Sequence, residues 1–169
     1  GSVRVDTIID IAKKENIKLE SYEKCDVEKL VQVPNDCTSL NEYLKRFDLA
    51  NKVMQSRENI KRVTFELLED AQKENVKYIE VRFAPLLHLN GGLSIEEVIQ
   101  SAIDGINEAE KMYDIKGNII LCCMRTMSED DAILVVEEGK KFLNKGVVAI
   151  DLAGPEEEGF VKKYKKAIE

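Results

Sequence analysis

The stretch Val147–Phe160, "VVAIDLAGPEEEGF", changes character in its middle. Its first half is apolar and β-branched, the pattern of a short strand buried between two layers. Its second half is an acid, a glycine, a proline and three glutamates, groups that favour water or a ligand. Ala149 and Asp151 fall on one face of the strand, and small Ala149 is expected in a crowded interior. Pro155 lacks an N–H and fixes its own φ, while Glu156, Glu157 and Glu158 suit the first turn of a following helix. Gly154 has two readings. Either a ligand approaches the backbone so closely that a side chain would block it, or the glycine only makes the turn.

Working outward, the same strand-then-helix unit occurs twice more. "KYIEVRFAP" (77–85) is a strand that Pro85 ends, and "NIILCCMR" (118–125) is a second strand. A helix is predicted from Ser94 to Tyr113, opened by a capping box of Ser94 and Glu97. Another is predicted over 128–145, with Ser128 as cap and acids in its first turn. A further helix opens within 157–169. Strand alternating with helix implies right-handed crossovers and a parallel sheet whose strands helices cover. No glycine-rich phosphate loop follows any strand, which disfavours a dinucleotide fold. An α/β barrel arc fits, although three strands cannot close a barrel.

The first part of the chain is helical. Val5, Ile8, Ile9, Ile11 and Ala12 predict a helix over 3–16, and a less regular stretch follows, broken at "VPNDCTSL". Ser39 caps a short helix presenting Leu40, Tyr43, Leu44 and Phe47 at i, i+3, i+4 and i+7. One long helix is then predicted over 51–74. The last helix reaches Ile168-Glu169 without a glycine or asparagine cap. The chain thus reads as a single incomplete domain, 1–76 mostly helical and 77–169 built of βα units.

The 169 residues are 44% apolar and 34% charged, enough for one soluble core. A net charge of -7 argues against a nucleic-acid or anionic-membrane partner. No apolar run approaches the ~20 residues that span a bilayer, and no leader-like segment is expected. Cys25, Cys37, Cys122 and Cys123 form no CxxC pair, and the last two read as small buried hydrophobes. A cytoplasmic location is expected.

Active sites of parallel α/β folds lie at the carboxyl ends of the strands. Arg82, Arg125 and Asp151 fall there. They either fill the mouth as a salt-bridge network, or one of them touches substrate or transfers a proton. Arg125 and Asp151 are expected to form an ion pair or share a hydrogen-bond network. His88, the only histidine, is a ligand or base in one reading and a structural or solvated residue in the other. Glu156–Glu158 read as a metal cluster or as helix-opening acids. No complete catalytic set emerges.

"VRFAP", "LCCMR" and "VVAIDLAGPE" resemble strand ends of the adenosine deaminase family, in the right order. "GSVRVDTIIDIAKKENI" resembles the segment just after that family's first-strand His-x-His motif, and "TSLNEYLKRFDL" its short helix over the substrate pocket. The resemblance covers nearly the whole chain. It implies a partial (β/α)8 TIM barrel of the metal-dependent hydrolase type, with about three parallel strands and flanking helices. It also implies part of a zinc-dependent enzyme that hydrolyses adenosine or 2'-deoxyadenosine to the inosine product and ammonia. The family's three histidine ligands, its aspartate ligand and its His-Ala-Gly-Glu motif do not appear in this sequence. No catalytic or metal residue is therefore assigned, no zinc is expected in this chain alone, and the chain alone is expected to be inactive. By resemblance Gly154 offers its N–H to a purine nitrogen, Leu40, Tyr43, Leu44 and Phe47 form an apolar wall, and Met124 adds to the pocket floor. The expected partner is a purine nucleoside, with self-association through open sheet edges. A non-catalytic purine-binding or interaction module, or a related adenine aminohydrolase, are the alternatives.

Overall fold

A computed structural model describes residues 2–155 and 163–168. Its centre is a parallel sheet in the order β1-β2-β3, formed by β1 (Tyr78–Phe83), β2 (Lys116–Met124) and β3 (Val147–Ala153). Helices α1 (Val5–Lys14), α2 (Lys24–Val31), α3 (Leu40–Lys45), α4 (Asp48–Val53) and α5 (Arg57–Lys73) precede it. α6 (Ile95–Met112) joins β1 to β2, α7 (Glu129–Lys140) joins β2 to β3, and α8 (Lys165–Ile168) follows. Glu156–Glu158 and the expected start of the last helix lie outside the described residues.

One face of the sheet carries the core. Ile119, Leu121, Cys123 and Val147 pack in one buried cluster with Leu68, Ile99, Ile103, Ile106 and Val135 from the helices. A smaller cluster of Ile8, Ile11, Val27, Val31 and Val53 holds α1, α2 and α4 together, and Met54 packs against both clusters. The opposite face is open among the described residues. On β1, Tyr78, Glu80 and Arg82 are exposed while Ile79, Val81 and Phe83 are half-buried under the helices. This corrects the expectation of strands covered on both sides. On β3, Val148, Ala149 and Ile150 are exposed, so among the described residues nothing crowds Ala149, against the expectation of a crowded interior.

A bulge sets the facing of β3. Ile119 pairs with Val147 but Ile120 pairs with Ala149, so Val148 is the extra residue. Side chains alternate along a strand, so without the bulge Asp151 would share the buried face of Val147. With it, Asp151 sits beside Cys122 on the open face and Leu152 beside Cys123 on the covered one.

The helix boundaries show where local chemistry overrode periodicity. The helix expected over 51–74 is two helices, because Ser56 accepts from the Asn59 N–H at 3.3 Å and starts α5 afresh. Carbonyls at the end of α4 are taken up by side chains: Asn59 donates to Val53, and Gln55 donates to Asn51. Both expected caps are present as capping boxes, Ser94 with Glu97 and Ser128 with Asp131. Ser39 stands at the start of α3 without a side-chain cap bond. At the α5–α6 crossing, a Cβ on Gly105 would lie 2.4 Å from the Lys61 carbonyl oxygen, so glycine lets the two backbones touch.

Candidate functional site

The three strands end together, and their ends supply the candidate side chains. Arg82 on β1 reaches across β2 to Asp151 on β3, with Nη1 donating to Oδ2 at 2.9 Å. Cys122 lies between them, its thiol 3.8 Å from the same oxygen. Burial, with help from the Asp151 charge, pushes the Cys122 thiol up to about 12, so it stays protonated. The partner of Asp151 is therefore Arg82, not Arg125 as expected. Register explains this. Arg82 is level with Ile120, and Asp151 with Cys122, on the open face, whereas Arg125 follows Met124 by one residue and alternation turns it away. The ion pair is half in solvent, with the Arg82 side chain 60% exposed. Its contribution to stability is accordingly about 0–1 kcal/mol.

Arg125 instead organises the end of β3. Its N–H donates to the Ala153 carbonyl at 2.7 Å, and its guanidinium Nη1 donates to the Gly154 carbonyl at 2.6 Å. Successive strand carbonyls normally point in opposite directions. Gly154 has φ +104°, and that left-handed turn lets two consecutive carbonyls face one residue. A Cβ at Gly154 would meet only ordinary contacts, the nearest 3.5 Å away on the Arg125 nitrogen. Conformation, more than crowding from within the chain, selects glycine there. Met124 closes the same corner, its methyl 3.7 Å from that Cβ position.

The other four expected site residues stand apart on α3 and its C-terminal turn. Leu40 and Tyr43 are exposed and Leu44 and Phe47 half-buried, with the Tyr43 and Phe47 rings edge-on at 5.4 Å. Arg46 ties this helix to α2 by donating to the Lys29 carbonyl. Only Arg46 and Phe47 separate α3 from α4, and the α4–α5 junction is pinned to the turn after β1 by Gln55, which donates to the Leu87 carbonyl at 2.9 Å. That turn continues directly from the end of β1, so the apolar helix joins the molecule at the strand-end side. The structure thus gathers Met124 and Gly154 at one corner and holds Leu40, Tyr43, Leu44 and Phe47 as a separate apolar rim.

His88 belongs to the scaffold. It is buried, its Nδ1 lies 2.9 Å from the Met54 carbonyl, and its ring packs near Phe83. Burial lowers its pKa to about 4. Among the described residues no three histidine, cysteine or acidic side chains come together as metal ligands. The described donors thus do not fit a catalytic zinc, which takes three protein ligands and an open position.

The sequence reading passed over Tyr164. Its side chain is buried, and its hydroxyl lies 2.6 Å from the Met127 carbonyl and 2.9 Å from that of Arg125. The signal was its apolar spacing with Ala167, which marks the inward face of the last helix.

Comparison with known proteins gives one consistent picture. The adenosine deaminase family profile matches residues 1–169. The adenosine deaminase of Clostridium botulinum (strain 657 / Type Ba4) is 61% identical over 164 residues, covering 97% of this chain and 50% of that protein. The adenine deaminase of Arthrobacter aurescens superposes with TM-score 0.83 at 20% identity, over 98% of this chain and 49% of its own. Arabidopsis ADAL in complex with IMP superposes with TM-score 0.79 at 26% identity, over 98% of this chain and 50% of its own. The chain spans about half the length of the curated relatives it matches.

Proposed function

Because the chain belongs to the adenosine deaminase family, we propose that it forms the nucleoside-binding side of a deaminase that converts adenosine or 2'-deoxyadenosine to the inosine product and ammonia. The observation that carries this reading is 61% identity to an adenosine deaminase over nearly the whole chain. In the complete barrel, zinc would supply an activated water, held by residues other than those described in this chain. What this chain contributes is shape and backbone donors. The Gly154 N–H meets a purine ring nitrogen, Met124 lies beneath the ring, and Leu40, Tyr43, Leu44 and Phe47 shield the nucleoside from water. Arg82 and Asp151 brace the strand ends facing the barrel interior. The four free thiols suit a reducing cytoplasm. Among the described residues no helix is long and apolar enough to cross a membrane.

The test is a substrate series on the full-length polypeptide that carries this chain: adenosine, 2'-deoxyadenosine, adenine and AMP, followed by ammonia release. Nucleoside turnover at least tenfold above adenine and AMP is expected. Preference for adenine would move the protein to the adenine aminohydrolases, and preference for AMP to the nucleotide deaminases. The 169-residue chain on its own should hold no stoichiometric zinc and release no ammonia, which metal analysis of the same sample checks. No turnover by any form, with purine binding retained, would favour a non-catalytic purine-binding module.

A further inference from the structure

We propose that Tyr164 and Arg125 are positioning residues that aim the Gly154 N–H at its ligand, a relay from the outer helix to the strand-end corner. The inference rests on the nucleoside-binding reading of Gly154.

The Tyr164 ring is about 1% exposed, fixed among core residues, and its hydroxyl is surrounded by three carbonyls of one loop. These are Met127 at 2.6 Å, Arg125 at 2.9 Å and Met124 at 3.4 Å. A phenol has one proton, so it donates to the nearest, Met127, while lying against the other two. The loop also closes on itself, with the Met127 N–H donating to the Met124 carbonyl at 2.9 Å. One hydroxyl therefore holds the whole turn that carries Arg125.

From there the geometry passes through the backbone. The Arg125 N–H draws the Ala153 carbonyl toward β2 at 2.7 Å. The Ala153–Gly154 peptide is trans, so the N–H of Gly154, in the same peptide plane, points the opposite way. The Arg125 guanidinium holds the next carbonyl, that of Gly154, at 2.6 Å and fixes the plane on the other side. Among the described residues the Gly154 N–H makes no hydrogen bond. It is a fixed donor turned away from β2, both flanking peptide planes being set by Arg125 and Arg125 being set by Tyr164.

Tyr164→Phe keeps the ring and removes only the hydroxyl. In the isotope-labelled 169-residue chain, the amide resonance of Gly154 should move together with those of Arg125 and Met127, while those of α1 and α2 stay in place. Arg125→Lys should move the Gly154 amide with Tyr164 intact, which keeps the test valid if the phenylalanine variant is poorly folded. In the full-length polypeptide, Tyr164→Phe should raise KM for adenosine about tenfold, the worth of one lost hydrogen bond, with kcat within about twofold. A residue that only stabilised the fold would lower the active fraction and leave KM alone. The Tyr164→Phe/Arg125→Lys double variant should be no worse than the worse single one, as for two links in one chain. An unmoved Gly154 amide overturns the relay whatever the protein's substrate. A moved amide with unchanged KM, in a polypeptide that does turn over adenosine, overturns the positioning role. A wild-type polypeptide without nucleoside turnover sinks the functional reading alone, and the amide measurement still decides the relay.

Discussion

His88 shows how one buried side chain can set the acid sensitivity of a molecule. Its ring is neutral in the fold down to pH about 4, against an ordinary value of 6.5. Above pH 6.5 it is neutral whether folded or not and adds no pH dependence. Between 6.5 and 4 only the unfolded chain takes up the proton, so stability falls with pH, by at most about 3 kcal/mol. His88 is the only histidine in the chain, and carboxylates barely titrate above pH 5. The urea midpoint should therefore drop between pH 7 and pH 5 in the native chain and stay nearly level in His88→Gln. An equal drop in both would assign the effect elsewhere. At this scale the sequence showed which residues stand at the strand ends but not who pairs with whom. Arg82 rather than Arg125 meets Asp151 because of a bulge that no composition or spacing reveals.

At the scale of elements, the α5–α6 contact is the most exacting. Alanine normally favours a helix over glycine by about 1 kcal/mol. At Gly105 the added methyl would meet the Lys61 carbonyl oxygen at 2.4 Å and Thr64 Cβ at 2.9 Å, so the helices must separate. We expect Gly105→Ala to destabilise the chain by about 1–3 kcal/mol despite its better propensity, read from chemical denaturation. A stabilised variant would show that the helices slide apart freely. The strands were legible because each is a short apolar run bounded by turn signals, and the caps of α6 and α7 because serine and an acid stand three residues apart. α2 was not, since its eight residues bury only Val27 and Val31, too few for a clear period. The break before α5 was hidden because the chain there keeps helical hydrophobicity while Ser56 restarts the hydrogen bonding.

For the molecule as a whole, the open face and the outer sides of β1 and β3 matter most. Tyr78, Val148 and Ile150 are exposed along strands with unpaired outer edges among the described residues. Such edges recruit further strands. Sedimentation of the 169-residue chain at rising concentration should show species heavier than 19.2 kDa, and supplying the remainder of the barrel should suppress them. A monomer across the whole range would mean the edges are protected. The family resemblance was readable across the full length because the strand-end segments "VRFAP", "LCCMR" and "VVAIDLAGPE" stand in the family's order along the chain. The apolar wall of α3 was readable as a pattern only; its distance from Gly154 depends on packing that no local sequence encodes.

The extra residue at Val148 has a consequence for how this protein can change over generations. Loss of that single codon would straighten the strand and leave every later residue on its present face. Gain of one codon just before Asp151 would keep composition and hydropathy almost intact yet turn everything after it to the other face. Asp151 would be driven into the greasy layer beside Cys123 and Leu121, and Leu152 onto the face of Arg82. Insertions should therefore be absent from β3 after the bulge and confined to connectors such as the 89–93 segment, where one residue more shifts no alternation. The strand keeps a reading frame of its own.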